Sequence, residues 1–136
     1  VYSHHFDTDF VICDKHRKKA NEVAEMILIG DVTGKNVILV DDLIDTAGTL
    51  CKAAEIIMEK GAASVRAICT HAVLSGPAYE RLEASVLTEL IVTDTIPLKQ
   101  KSKKIKVLTV SQLFARAIRN THEHKSINSL FITQSV

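Results

Sequence analysis

The chain has 136 residues, 46% of them apolar and 24% charged, with a formal net charge of +1. This is the composition of one globular domain with a buried core, and it excludes a disordered or fibrous polymer. A near-neutral balance gives no global footprint for nucleic acid or an anionic membrane, and no apolar run nears the ~20 residues that span a bilayer.

Taken in order, no signal peptide opens the chain, and Val1-Tyr2 stands where an initiator methionine would. The two methionines are Met26 and Met58, so the chain reads as a piece of a longer polypeptide. Residues 9–13, DFVIC, read as a short buried strand, and KHRKKA (15–20) as a basic run whose simplest role is a solvated face. Residues 23–30 are apolar enough for a strand or a helix and are assigned to a strand. Gly34 marks a turn, and Val37 to Val40, apolar at every position, predict a fully buried strand of the parallel kind.

Leu50, Ala53, Ala54, Ile57 and Met58 recur at helical spacing within 47–60, and Gly61 supplies a stop. Residues 65–70 predict the next strand, with His71 at its carboxyl end as a hydrogen-bonded structural histidine. Ser75-Gly76-Pro77 opens a short helix through Leu82. Residues 90–92 and 105–108 predict strands separated by a lysine-rich solvated loop, and 111–122 an amphipathic helix. Strands alternating with helices predict an α/β fold with a parallel, Rossmann-like sheet. Cys13, Cys51 and Cys69 are widely spaced and odd in number, which predicts buried free thiols. His122 and His124, two residues apart at a helix end, cannot share a helical face and are not read as metal ligands.

The stretch VILVDDLIDTAGTL (37–50) carries the chemistry. In open α/β sheets ligands bind beyond the carboxyl ends of the strands, which is where Asp41 and Asp42 fall. Neighbouring strand residues face opposite ways, so the two aspartates have different tasks. The turn Asp45-Thr46-Ala47-Gly48-Thr49 is built of small residues, whose amides can converge on an anion at a helix N-terminus, with two threonine hydroxyls as added donors. Carboxylates would repel a bare phosphate, but they accept hydrogen bonds from a diol, so acids beside an amide cradle describe a site for a sugar phosphate. The plainer alternative is that Asp45 or Thr46 simply caps the helix.

VILVDDLIDTAGTL resembles the phosphoribosyl-diphosphate signature of type I phosphoribosyltransferases. More narrowly, DKHRKKANEV, GDVTGKNVILVDDLIDTAGTL, THAVLSGPAYERL, ELIVTDTIPL, KIKVLTV and ARAIRNTHEHKSINSLF resemble, in order, segments of the ribose-phosphate pyrophosphokinase (phosphoribosyl-diphosphate synthetase) family, over residues 9–131. The resemblance implies a phosphoribosyltransferase-like domain, residues 1–136 being the C-terminal half of a two-domain protein. It implies a cytoplasmic enzyme of nucleotide biosynthesis that transfers diphosphate from ATP to ribose 5-phosphate, giving 5-phosphoribosyl 1-diphosphate and AMP, with Mg²⁺ as cofactor. Residues 1–136 alone would then make no product. Two rival readings are a phosphoribosyltransferase that consumes that product and a non-catalytic paralogue of the synthetase.

The family's flexible catalytic loop begins D-K-x-R, so Lys15 and Arg17 are the implied catalytic cations. Asp41, Asp42, Asp45, Thr46, Ala47, Gly48 and Thr49 are the implied substrate-binding residues, with Asp41 and Asp45 reaching Mg²⁺ or the ribose hydroxyls. The tail KSINSLF resembles a C-terminal S-x-S-x-L-F that contributes to a regulatory site for phosphate and ADP between subunits, which implicates Ser126, Ser129 and Phe131. Phe131 can equally be a core anchor. A homo-oligomer of the hexamer-of-dimers type is implied as well.

Overall fold

Four parallel strands form the sheet on which the rest of the domain is built. The computed structural model describes residues 7–16 and 25–131, with backbone alone for 14–16 and 25. In the sheet, β3 (Asn36–Ile44), β4 (Ser64–Ala72), β5 (Glu89–Thr93) and β6 (Ile105–Leu108) lie side by side in chain order. Between β3 and β4 runs helix α1 (Gly48–Glu59), between β4 and β5 the short α2 (Ala78–Ala84), and after β6 comes α3 (Ser111–His122). A 3₁₀ turn, Asn128–Leu130, follows.

Register explains the core. Ala67 stands opposite Leu90, Cys69 opposite Val92, and Leu90 opposite Ile105, so one face of the sheet presents a continuous apolar surface. Leu50, Ala54 and Ile57, at helical spacing on α1, and Ala78 and Leu82 on α2 are buried in the same cluster as Val65, Ala67, Cys69, Leu90 and Val92. Each fully buried leucine or isoleucine there contributes about 1.5–3 kcal/mol of transfer free energy.

The other face departs from expectation. Ile38 and Val40 alternate with the half-buried Val37 and Leu39, and they are 57% and 45% exposed. The unbroken apolar run therefore does not mark a strand covered on both sides among the described residues: α1 and α2 bury their apolar residues with the Val65-Ala67-Cys69 face, and the Ile38-Val40-Ile68 face stays open.

Residues 9–13 also read differently. The strand there is β1 (Ile12–His16), and it pairs antiparallel with β2 (Glu25–Ile29) in a separate two-stranded sheet. Val11 and Leu28 pack on the core. Gly30, at φ 120°, is required at the end of β2, because a Cβ there would sit 2.5 Å from the Val11 side chain.

The amphipathic pattern predicted over 111–122 is a helix, but none of its residues is buried. Leu113, Phe114 and Ile118 stay exposed among the described residues. Phe131 is 65% exposed, so it does not anchor this core.

Candidate anion-binding site at the carboxyl edge of the sheet

The predicted loop forms the junction of β3 and α1. β3 continues through both aspartates to Ile44, so Asp41 and Asp42 lie within the strand rather than beyond it. Both are exposed, and the Asp42 amide donates to Asp41 Oδ1 at 2.9 Å, which orients that carboxylate. Asp41 stands opposite Cys69, on the helix-covered face, and Asp42 lies on the open face with Val40. The adjacent aspartates thus diverge as their strand positions require.

Buried Ile44 anchors the start of the loop: its carbonyl accepts the amides of Val73 and Leu74 at 3.0 and 3.2 Å. Asp45, Thr46 and Thr49 are exposed, Gly48 is partly covered, and Ala47 is only 4% exposed. Ala47 has φ 58° and ψ 3°, a left-handed conformation that costs a non-glycine residue about 1–2 kcal/mol. It is the N-cap of α1, and no side chain caps the helix. The capping alternative for Asp45 and Thr46 therefore does not hold. The Ala47 carbonyl accepts the Cys51 amide at 3.0 Å, and the first amides of a helix point out of its N-terminus. A bent backbone between the exposed Thr46 and Thr49, at the positive end of a 12-residue helix, is a site that can receive an anion.

Two residues outside the predicted set hold this loop. The Ser75 amide donates to the Asp45 carbonyl at 3.0 Å, and the Ser75 hydroxyl donates to Asp45 Oδ1. Ser75 was expected to start the next helix, but the N-cap of α2 is Pro77, without a side-chain cap, because the serine is turned back to the loop. Arg81, on α2, donates from Nη1 to the Thr46 carbonyl at 3.0 Å. Sequence spacing carries no signal for a contact between residues this far apart; the S-G-P turn that brings Ser75 back was legible as a turn but not as a contact.

His71 lies within β4 and shares a 3.0 Å hydrogen bond with the Thr95 hydroxyl through Nδ1, in keeping with a structural histidine. Thr93 and Thr95 hydroxyls both donate to the Thr70 carbonyl. Beside them an open cleft of about 500 Å³ is lined by His71, Asp94, Thr95, Val110, Ser111 and Phe114. Hydrogen bonds from the Thr109 hydroxyl and the Val110 amide hold the Asp94 carboxyl below the usual carboxylate range.

Lys15 lies in β1 opposite Met26, its side chain outside what the structure describes, and Arg17 lies outside the described residues. Ser126 accepts the Asn128 amide on its hydroxyl at 3.1 Å, and Ser129 is in the 3₁₀ turn. The cysteines are free thiols as expected, but Cys13 is only partly covered; burial raises the thiol pKa of all three. Among the described residues no three His, Cys, Asp or Glu side chains converge as a metal cage. The exposed aspartates still suit Mg²⁺, a hard ion that takes one or two carboxylates and completes its shell with substrate oxygens and water. Among the same residues no helix is long and apolar enough to cross a membrane.

Comparison with known proteins places this geometry in context. Residues 10–132 match the family described as the phosphoribosyl synthetase-associated domain. The chain is 62% identical over 128 residues to a ribose-phosphate pyrophosphokinase of Campylobacter jejuni, covering 94% of this chain and 41% of that protein. It is 58% identical over 124 residues to one of Wolinella succinogenes, covering 91% and 40%. The crystal structure of phosphoribosylpyrophosphate synthetase from Mycobacterium smegmatis superposes with a TM-score of 0.71 at 40% identity, over 74% of this chain and 34% of that one. The chain thus spans about two fifths of the length of the curated relatives it matches.

Proposed function

This chain belongs to the phosphoribosyl synthetase-associated domain family, and from that premise we propose that the protein transfers the β,γ-diphosphoryl group of ATP to the C1 hydroxyl of ribose 5-phosphate, giving 5-phosphoribosyl 1-diphosphate and AMP. The observation that carries this reading is the Asp45–Thr49 loop, exposed at Asp45, Thr46 and Thr49, at the carboxyl edge of the sheet beside Asp41 and Asp42. Amides and threonine hydroxyls there suit the 5-phosphate, and the carboxylates suit the ring hydroxyls, which need acceptors.

In this reading Asp41 and Asp45 accept from the ribose hydroxyls or hold Mg²⁺, with Asp42 supporting them. When bound, Mg²⁺ neutralises charge developing on the transferred phosphoryl oxygens. Lys15 and Arg17 add positive charge over the same group, since phosphoryl transfer asks the protein for positioning and electrostatics rather than covalent chemistry. Ser126, Ser129 and Phe131 are assigned to an anion site that phosphate or ADP can occupy, and the exposure of Phe131 leaves its ring available.

The deciding experiment is AMP release from ATP by the full-length protein, dependent on ribose 5-phosphate and Mg²⁺. AMP formed with stoichiometric 5-phosphoribosyl 1-diphosphate supports the proposal. Pyrophosphate release from 5-phosphoribosyl 1-diphosphate and a nucleobase, without ATP, assigns it to the phosphoribosyltransferases instead. Residues 1–136 alone are expected to bind ribose 5-phosphate weakly and to release no AMP.

A further inference from the structure

Arg81 lies 35 residues from Thr46 in sequence, yet its guanidinium donates to the Thr46 carbonyl at 3.0 Å. The same nitrogen would stand 3.2 Å from a Cβ on residue 48, closer than side chains normally pack, so Gly48 leaves room for the arginine. The peptide between Thr46 and Ala47 is trans, so fixing its carbonyl toward α2 turns its N–H the opposite way, away from α2. A charged donor on the carbonyl also polarises the peptide and strengthens that N–H as a donor. Ala47, whose amide this is, holds a left-handed conformation that needs support from its surroundings. Asp45, one step earlier, is fixed by Ser75.

We infer that Arg81 is a positioning residue for the sugar-phosphate loop: it locks the Thr46–Ala47 peptide so that the Ala47 amide is aimed at the anion before substrate arrives. The inference rests on the reading of Asp45–Thr49 as the 5-phosphate cradle. Arg81 is exposed and forms none of the core, so its replacement leaves the fold intact.

The test is steady-state kinetics of full-length R81M and R81K, with ribose 5-phosphate and ATP varied separately, alongside thermal melting and calorimetric binding of ribose 5-phosphate. R81M is expected to raise the KM for ribose 5-phosphate about tenfold, the size of a lost charged hydrogen bond, while the KM for ATP stays within about twofold. R81K is expected to fall between R81M and the wild type, because lysine keeps one charged donor but not the planar fork. Should R81M melt below the assay temperature, R81K alone carries the test, with the same selective rise. A wild-type KM for ribose 5-phosphate in both variants overturns the inference, and so does an equal rise for both substrates. A wild-type protein that does not bind ribose 5-phosphate overturns the reading of the loop itself, which separates the two failures.

Discussion

Ser75 grips Asp45 twice, with its amide on the Asp45 carbonyl at 3.0 Å and its hydroxyl on the Asp45 carboxylate. The pair joins the turn after β4 to the loop after β3, so the carboxylate reaches its place through a neighbouring strand rather than through its own segment. The Ser75 hydroxyl bond falls on Oδ1 of Asp45, and Oδ2 can serve a ligand.

Ser75→Ala should therefore weaken ribose 5-phosphate specifically. A hydrogen bond to a charged group contributes about 1.5–3 kcal/mol, so KM for ribose 5-phosphate should rise roughly ten- to hundredfold with kcat little changed. Kinetics on the full-length protein check this; a fall in kcat at constant KM would assign Ser75 to the chemical step.

Lys15→Ala and Arg17→Ala act on a different term. If they stabilise the transferring group, each should lower kcat by about 10²–10⁵-fold while ribose 5-phosphate still binds. Single-turnover AMP formation, with binding measured separately, distinguishes this outcome from simple loss of affinity. Near-normal turnover in both variants removes them from the mechanism.

Leu82→Ala reports on packing. Leu82 is almost wholly buried on α2, within the core cluster, and its truncation should cost about 2–5 kcal/mol, because the cavity adds to the lost transfer energy. Urea unfolding should show a lower midpoint with an unchanged slope. The same helix carries Arg81, so affinity for ribose 5-phosphate should fall as well.

Glu89 gives a pH signature. Hydrogen bonds from Lys106 at 2.7 Å and Arg66 at 3.0 Å hold its carboxyl below the usual carboxylate range. Its folded pKa is depressed, so its contribution to stability is fully present above the unfolded value of about 4.3 and is lost as pH falls through the folded value. Glu89→Gln should lower the Tm at pH 7, and the gap from the wild type should narrow as pH falls below about 4.3. A gap of equal size at both pH values would mean that packing, not charge, is responsible.

The sequence displayed local features well and distant ones poorly. The α1 pattern and the helix at 111–122 are set by neighbours three or four residues away, and with the short apolar run at 105–108 they lie where the sequence puts them. The acidic loop was legible because an apolar strand, paired acids and small residues stand in one short run. Ser75 and Arg81 escaped notice because their partners are brought near only by the parallel crossover from β3 to β4. Val37–Val40 misled for a related reason: an apolar strand records that both of its faces can be covered, not which residues cover them. The strand that ends at His16 begins three residues later than predicted because pairing with β2, rather than the hydrophobic run, sets its limits.

Among the described residues β3 has β4 along one side and no strand along the other. Its outer row of peptide groups can accept another strand without any existing bond being broken. A strand added there in parallel would end beside Asp41 and Asp42, bringing its own terminal side chains to the acidic end of the cradle.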